Sequence, residues 1–396
     1  MLGFMLGGEM AVRLINVAFI FALALLIRRL AVWAFANRQA GLWSAALFLS
    51  APLTFAESSS LYIEAIWASY VVGGVYCLFR LDADEGQSKH HLVAGGLLLG
   101  LACATKAVTL ALAPVLILAF LARSRRWMSR DAIVPAFIGV GGFALVESIP
   151  YIRAWLTTGN PVFPYFNSIF KSAYFPLMVF TQTLFDSGLS WNTIYRITFE
   201  SEKYLESTAG APGFQWLLLL GASIAALLLT RRWRGAQIAL TGLLMIAVTF
   251  QFQSHLRYVF PAMVLLAVRI GGAYANVFSS SAAIRWPGYV LFGAALSLNL
   301  AFLNAAALFR DMPLASIASD KARTDYLGLR LPIRNAVAFL NKTPDLGRNV
   351  AVFSRPLVAG LRTDMLTPTW YNLGFENAVN RARTPGEFSA LLRTRG

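Results

Sequence analysis

LVAGGLLLGLACATKAVTLALAPVLILAFLA, residues 92–122, is an apolar run of 31 residues with a single charge, Lys106, near its middle. As one helix at 1.5 Å per residue it would extend about 46 Å, against a hydrocarbon core of about 30 Å. It is too long for one crossing, and its lysine would lie where a charge is costliest. Lys89 precedes the run and Arg123, Arg125 and Arg126 follow it, so the positive-inside rule puts both flanks in the cytoplasm. The run is therefore expected to form a hairpin, with arms 92–105 and 107–122 and Lys106 at the outer turn. Arms of 14 and 16 residues are short for a span, which implies local membrane thinning or a water-filled recess around the lysine. Gly95, Gly96, Gly100, Ala102 and Ala104 allow another helix to approach the first arm closely.

Composition points the same way. The chain is 57% hydrophobic and only 13% charged, with mean hydropathy +0.60, whereas about a quarter of a soluble domain is charged. This is a polytopic membrane protein. The net charge of +15 falls in short groups between apolar runs, so it reads as a topology signal and no nucleic-acid partner is implied. Cys77 and Cys103 both lie in apolar runs, which argues against a disulfide framework. The first residues, MLGFMLGGEMAVR, carry Glu9 and Arg13 where a cleavable signal would be basic and then cleanly apolar.

Ten spans are expected, near residues 11–27, 41–56, 62–79, 92–105, 107–122, 132–151, 214–230, 236–252, 258–275 and 288–308. Alternate connections hold Arg28, Arg29, Arg38, Arg80, Lys89, Arg123, Arg125, Arg126, Arg130, Arg231, Arg232, Arg234 and Arg285, against only Lys106 and Arg257 in the short connections opposite. The basic loops are thus cytoplasmic. Residues 152–212 form a long outer connection, rich in Phe, Tyr and Pro around Lys171, whose composition suits short interfacial helices. Residues 1–308 read as the membrane domain. Residues 309–396 read as a small α/β tail: PIRNAVAFLNKTP a helix, NVAVF a strand, TPGEFSALLRTRG a helix after a Thr cap. That pattern ends without the strand expected next.

Acids and bases gather on the outer side: Glu9, Arg13, Glu57, Glu64, Lys106, Glu147, Arg153, His255 and Arg257. Arg269 alone sits inward, where it can snorkel. A polar cavity opening outward is the functional reading. Glu9, Arg13 and Arg153 read equally well as helix anchors, Glu147 as half of an ion pair within the bundle, and His255 as a polar loop residue. For Lys106, Glu64 and Arg257 the functional reading is preferred, because little interfacial sequence surrounds them. The three histidines lie on opposite faces and build no metal site.

In order along the chain, EMAVRLINVAFIFALALLIRRL, AGLWSAALFLSAPLTFAESSSLYIEAIWA, LVAGGLLLGLACATKAV, TGNPVFPYFNSIFKS and HLRYVFP resemble the polyprenyl-phosphate-dependent glycosyltransferases of the C-type membrane fold (GT-C). Protein O-mannosyltransferases and the lipid A aminoarabinose transferase belong to that family. The resemblance covers about residues 9–265 and implies an all-α bundle of about ten transmembrane helices, with the small C-terminal α/β domain outside the membrane. It implies transfer of a sugar from a polyprenyl phosphate to a lipid, glycan or protein acceptor, at the periplasmic face of a bacterial inner membrane. Glu64 matches the family's acidic residue at the outer start of a span, Lys106 the lysine closing a GLA..TK pattern, and Arg257 with Tyr258 an RY..P pattern. Tyr62, Glu57, Glu147, Asn160 and Lys171 are further candidates for substrate binding. The family's usual base lies on a first outer loop that has no counterpart here, which implies an N-terminal truncation, a misassigned start or a divergent member, and leaves the activity of the chain open.

In such a reaction cations stand beside the departing phosphate and a base beside the nucleophile. Lys106 and Arg257 are the candidate phosphate ligands. Glu64 is the candidate for positioning the acceptor, binding a divalent cation or acting as base. A lipid-linked saccharide flippase would need charges along a path through the membrane. A glycan polymerase or ligase would need arginine pairs in its large outer loops, but residues 152–212 hold only Arg153 and Arg196.

Overall fold

In the computed structural model the described residues are 2–81, 85–124, 132–178, 184–229, 233–307, 314–343, 349–353, 358–369 and 372–395. Arg125, Arg126, Arg130, Arg231 and Arg232, all assigned to cytoplasmic loops, lie outside them, as do the side chains of Glu9 and Arg123. The helices are α1 (Leu2–Phe35), α2 (Arg38–Ser50), α3 (Pro52–Ser59), α4 (Glu64–Phe79), α5 (Glu85–Thr105), α6 (Ala113–Ser124), α7 (Ile133–Thr158), α8 (Asn167–Phe170) and α9 (Thr193–Phe199). They continue with α10 (Gly221–Leu229), α11 (Trp233–Phe252), α12 (Phe260–Val277), α13 (Ala282–Ala301), α14 (Ala315–Ala318), α15 (Asp320–Arg330), α16 (Ile333–Lys342), α17 (Leu373–Arg381) and α18 (Pro385–Thr394). The chain divides into two units, residues 1–149 with 182–310, and residues 150–181 with 311–396.

The first unit is built around α12, in which every residue from Phe260 to Ala275 is buried. A helix apolar on all sides belongs at the centre of a bundle, and α1, α2, α4 and α11 pack around it. Outward-facing Phe21, Leu25, Phe137, Val140 and Leu145 stay exposed, as lipid-facing side chains do. Among the described residues four helices are long and apolar enough to cross a membrane: Met10–Phe35, Ile133–Thr158, Trp233–Phe252 and Leu256–Val277. The pair α3 and α4, bent by 115°, makes a fifth candidate. Several expected spans are divided between shorter elements. The run 41–56 breaks at Ala51, where extended backbone (ψ 131°) precedes Pro52. The run 214–230 opens as a π-helix, Trp216–Leu220, before α10. These two irregularities meet in a buried network, in which Asn299 donates to Ser50 Oγ (3.1 Å) and Gln215 Oε1 (2.8 Å) and accepts from the Phe214 N–H (2.8 Å). The Phe214 N–H, outside the helix that follows, is thus satisfied inside the protein, as a membrane requires.

The run 92–122 folds as a hairpin. Helix α5 ends at Thr105, Lys106 is extended (φ −152°, ψ 114°), and Ala107–Leu112 form a 3-10 turn leading into α6. The second arm thus differs from the expected continuous helix. Gly100 lies against α7, where an added Cβ would come within 2.9 Å of the Phe143 backbone. Gly139 faces the Leu92 carbonyl at 2.8 Å on the same measure. Gly139 and Gly142 thus form a packing surface for α5, while Gly141 faces open space. Arg269 does not snorkel: it is 1% exposed, donates to the Ser223 carbonyl and lies 5.8 Å from the Phe35 ring centroid. Its place on the central helix leaves the side chain no route to water.

In the second unit, α16 and α18 form where the sequence places helices, and Thr384 caps α18 by accepting the Glu387 N–H at 3.2 Å. Strand β1 (Asn349–Ala351) pairs in parallel with β2 (Asp364–Leu366). The second strand was not expected, because three residues carry too little alternation to register as one. Residues 160–176 are knitted by Asn160 and Asn167, both fully buried. Asn167 donates to the carbonyls of Ser172 (3.0 Å) and Phe175 (2.7 Å) and accepts from the Ser172 N–H (2.9 Å).

Candidate active site

The break between α3 and α4 positions the first acid. Asn16 of α1 donates to the carbonyls of Ser60 (2.9 Å) and Tyr62 (2.7 Å), and Arg13 donates to that of Ser59 (2.9 Å). Arg13 therefore caps the C-terminal end of α3, the role of an anchor. Held this way, α4 starts at Glu64, whose carboxylate accepts from Lys106 Nζ at 2.6 Å. Both side chains are largely buried, 6% and 15% exposed, so the pair works in a medium where charges interact strongly. Because Lys106 is extended, its side chain leaves the hairpin instead of following either arm. Its ammonium lies 4.1 Å from the Tyr258 ring centroid and 5.0 Å from that of Trp67. Trp67 Nε1 donates to Thr109 Oγ1 (2.7 Å), which itself donates to the Lys106 carbonyl (2.7 Å). This ties the hairpin turn to α4. Burial pushes the Lys106 ammonium down, and the Glu64 carboxylate beside it opposes that shift.

Arg257 lies on a 3-10 turn, Leu256–Val259, ahead of α12. Residues 184–206 strap that turn in place: Ser254 donates from its N–H to the Phe185 carbonyl (2.8 Å), the Gly188 N–H donates to Ser254 Oγ (2.7 Å), and the Leu256 N–H donates to the Tyr204 carbonyl (2.9 Å). The guanidinium sits 4.1 Å from the Tyr62 ring centroid, with Nη2 3.5 Å from Glu206 Oε2. His255 packs between Phe185 (4.6 Å, edge-on) and Tyr258 (5.0 Å, stacked). Burial pushes the imidazole down to about 3, with Arg257 and Lys106 adding to the shift. The ring is therefore neutral at physiological pH.

Glu57 is 1% exposed and lies within electrostatic reach of Glu64, Arg257 and Lys106. Among the described residues, Glu57 Oε2 and Glu64 Oε2 have no hydrogen-bond partner. Two cations, two buried carboxylates and the rings of Tyr62, Trp67 and Tyr258 thus converge from four parts of the chain. The cluster lies toward one end of α1. Twenty residues beyond Arg13, about 30 Å along the helix, Trp33 stacks on Phe79 (5.8 Å) and its carbonyl accepts from Arg234 (3.2 Å). Basic Arg234 and the acid–base cluster are separated by the thickness of a hydrocarbon core.

Of the residues expected from the sequence, Glu64, Lys106, Arg257, Tyr258, Tyr62 and Glu57 come together. Glu147 is half-buried on α7 and, among the described residues, has no ion-pair or hydrogen-bond partner. Asn160 and Lys171 belong to the second unit, where the Asn160 amide donates to the Tyr165 carbonyl (2.9 Å) and Lys171 is an exposed residue with φ 54°. Sequence reasoning missed Glu206, Trp67 and Thr109. Trp67 stands three residues after Glu64 in the same helix, a spacing that places both over one face, whereas Thr109 follows the extended Lys106 and has no such relation to it. Glu206 carries no such signal. No group of three His, Cys, Asp or Glu suited to a metal ion occurs among the described residues. Chemically, the arrangement offers two cations to an anion and, beside them, two carboxyl oxygens without hydrogen-bond partners among the described residues, Glu57 Oε2 and Glu64 Oε2, as candidate proton acceptors.

Residues 4–141 match the family model for dolichyl-phosphate-mannose-protein mannosyltransferases. No curated protein matches the chain. Among solved structures, ArnT from Cupriavidus metallidurans bound to undecaprenyl phosphate shares the fold, with a TM-score of 0.60, 14% sequence identity, and coverage of 96% of this chain and 77% of ArnT. The apo structure of the same ArnT matches equally, covering 76% of that chain. The cluster of Glu64, Lys106 and Arg257 is thus carried by a mostly helical fold like that of ArnT, in a chain whose N-terminal third matches the mannosyltransferase family model.

Proposed function

We propose that this protein is a membrane glycosyltransferase that moves a sugar from a polyprenyl-phosphate donor to a lipid, glycan or protein acceptor at the periplasmic face. The observation that carries the proposal is the pairing of Lys106 with Glu64 beside Arg257, at one end of an ArnT-like bundle. Lys106 has N–H donors beyond the one given to Glu64, and Arg257 presents a fork matched to a phosphate. As the anomeric carbon–oxygen bond breaks, negative charge grows on the leaving phosphate, and these cations stabilise it. Glu64, with Oε2 free, accepts the proton of the attacking hydroxyl or amine. Lys106 already pairs with Glu64 and Arg257 with Glu206, so a divalent cation would compete with a resident cation for either carboxylate. The bundle crosses the membrane about ten times in this reading, counting its divided spans, and residues 309–396 form a periplasmic α/β domain.

The test is transfer of radiolabelled sugar from synthetic polyprenyl-phosphate sugars by the chain reconstituted in vesicles. Transfer abolished by Lys106→Ala is the expected result. Absence of transfer from every polyprenyl-phosphate pentose and hexose tried would remove the proposal. The flippase reading is favoured by no observation, since the acid–base cluster lies at one end of the bundle and Arg269 is sealed among helices rather than lining a path.

A further inference from the structure

The contact between His255 and Arg257 is unusual in its hydrogen-bond logic. The Arg257 backbone N–H donates to His255 Nδ1 (3.2 Å), so the neutral ring carries its proton on Nε2. Nε2 nevertheless stands 3.2 Å from Arg257 Nη2. In the tautomer that accepts the Arg257 N–H at Nδ1, both Nε2 and Nη2 are donors and no bond joins them. What reconciles them is a shared acceptor: Glu206 Oε2 lies 3.5 Å from Nη2 and 3.8 Å from Nε2. Both distances are long for charge-assisted hydrogen bonds, which are usually 2.7–2.9 Å. Glu206 is 49% exposed while the His255 side chain is 4% exposed. His255 is thus buried and Arg257, at 15% exposed, largely so, whereas the acceptor makes long contacts and is open to water.

We propose that His255 Nε2–H and the Arg257 guanidinium form a two-pronged anion grip for a phosphate oxygen of the lipid-linked donor, and that Glu206 is a stand-in which this phosphate displaces. The inference rests on the proposed function, because it takes a phosphate as the anion. A donor phosphodiester carries one negative charge, as the Glu206 carboxylate does, so the exchange leaves the charge balance around Arg257 and Lys106 unchanged. Glu206 is already half in water and regains hydration by rotating outward, at little cost. Phosphate oxygens reach both donors at closer range than a carboxylate anchored to the strap. His255 thereby becomes a binding residue, and Tyr258, stacked on it and 4.1 Å from Lys106 Nζ, joins the two cationic halves of the site.

Titration of undecaprenyl phosphate into the detergent-solubilised full chain, followed by calorimetry, tests the grip without requiring turnover. Glu206→Gln and Glu206→Ala remove the competing charge and are expected to bind roughly two- to fivefold tighter, the range set by loss of a partly exposed ion pair. His255→Phe keeps the ring stack and removes the donor, and binding is expected to weaken roughly three- to tenfold. If Glu206 instead only braces Arg257, both Glu206 variants bind more weakly, which overturns the proposal, as does unchanged affinity in all three. A wild-type chain that binds no undecaprenyl phosphate defeats the proposed function as well. A wild type that binds, with Glu206 variants no tighter, defeats only the grip. Matching thermal melts for Glu206→Gln and wild type show that a change in affinity is not a folding defect.

Discussion

Replacing Lys106 by Met removes the charge facing Glu64 while keeping most of the side-chain volume. At 2.6 Å and an effective dielectric of about 20, the attraction between unit charges is about 6 kcal/mol. Desolvation of two largely buried ions cancels much of this, so the net worth of the intact pair is small. Removing only one partner is different, because the other charge stays buried and uncompensated, at about 3–5 kcal/mol. Loss of the ammonium over Tyr258 adds about 1 kcal/mol. Lys106→Met and Glu64→Gln should each therefore lower stability by about 3 kcal/mol or more, while the double variant should cost less than either single change. Thermal unfolding in detergent, read by tryptophan fluorescence, checks this, at about 2 °C per kcal/mol for a chain of this size. Lys106 and Glu64 should show a coupling of about 2 kcal/mol or more in the cycle. Additive single effects would refute it, since they would mean that water already solvates both groups. Sugar transfer should vanish in all three variants, including the stable double one.

Acid should destabilise the fold through His255. Its imidazole is held near about 3 in the folded protein against 6.5 for the free group, so between those values the unfolded chain binds a proton that the folded chain refuses. Stability is complete above about pH 6.5 and falls by about 1.4 kcal/mol per pH unit as pH drops toward 3; His255→Gln should flatten that slope, and an unchanged slope would place its origin elsewhere. At the α5–α7 contact, Gly96→Val would push a side chain onto the Gly139 backbone and should lower stability by about 1–3 kcal/mol. Gly141→Ala, with open space around its Cβ, should leave the same melt unchanged or slightly raised.

The sequence alone determined the class of the protein and the turn at Lys106. Charge bias on the flanks of residues 92–122 is a one-dimensional signal, and a lysine that cannot lie mid-membrane must lie at a turn. The capped helix at residues 385–394 was equally legible, because Thr384 and Glu387 act through neighbouring backbone groups. Glu64, Lys106 and Arg257 could be named because charged residues in apolar surroundings are costly wherever the chain takes them. Tertiary structure alone decided what each charge faces. That Lys106 pairs with Glu64, 42 residues away, depends on the bend after α3, and that bend depends on Asn16 of α1 reaching across to Ser60 and Tyr62. Arg269, read as a snorkelling cation, is buried because its helix became the centre of the bundle, a matter of which helices pack around which. Glu206 was invisible for the same reason: its carboxylate gains a role only when the strap from 184 to 206 folds over the turn bearing His255 and Arg257. Local patterns record the cost of placing a group, while the partners that offset this cost are chosen by packing between segments distant in sequence.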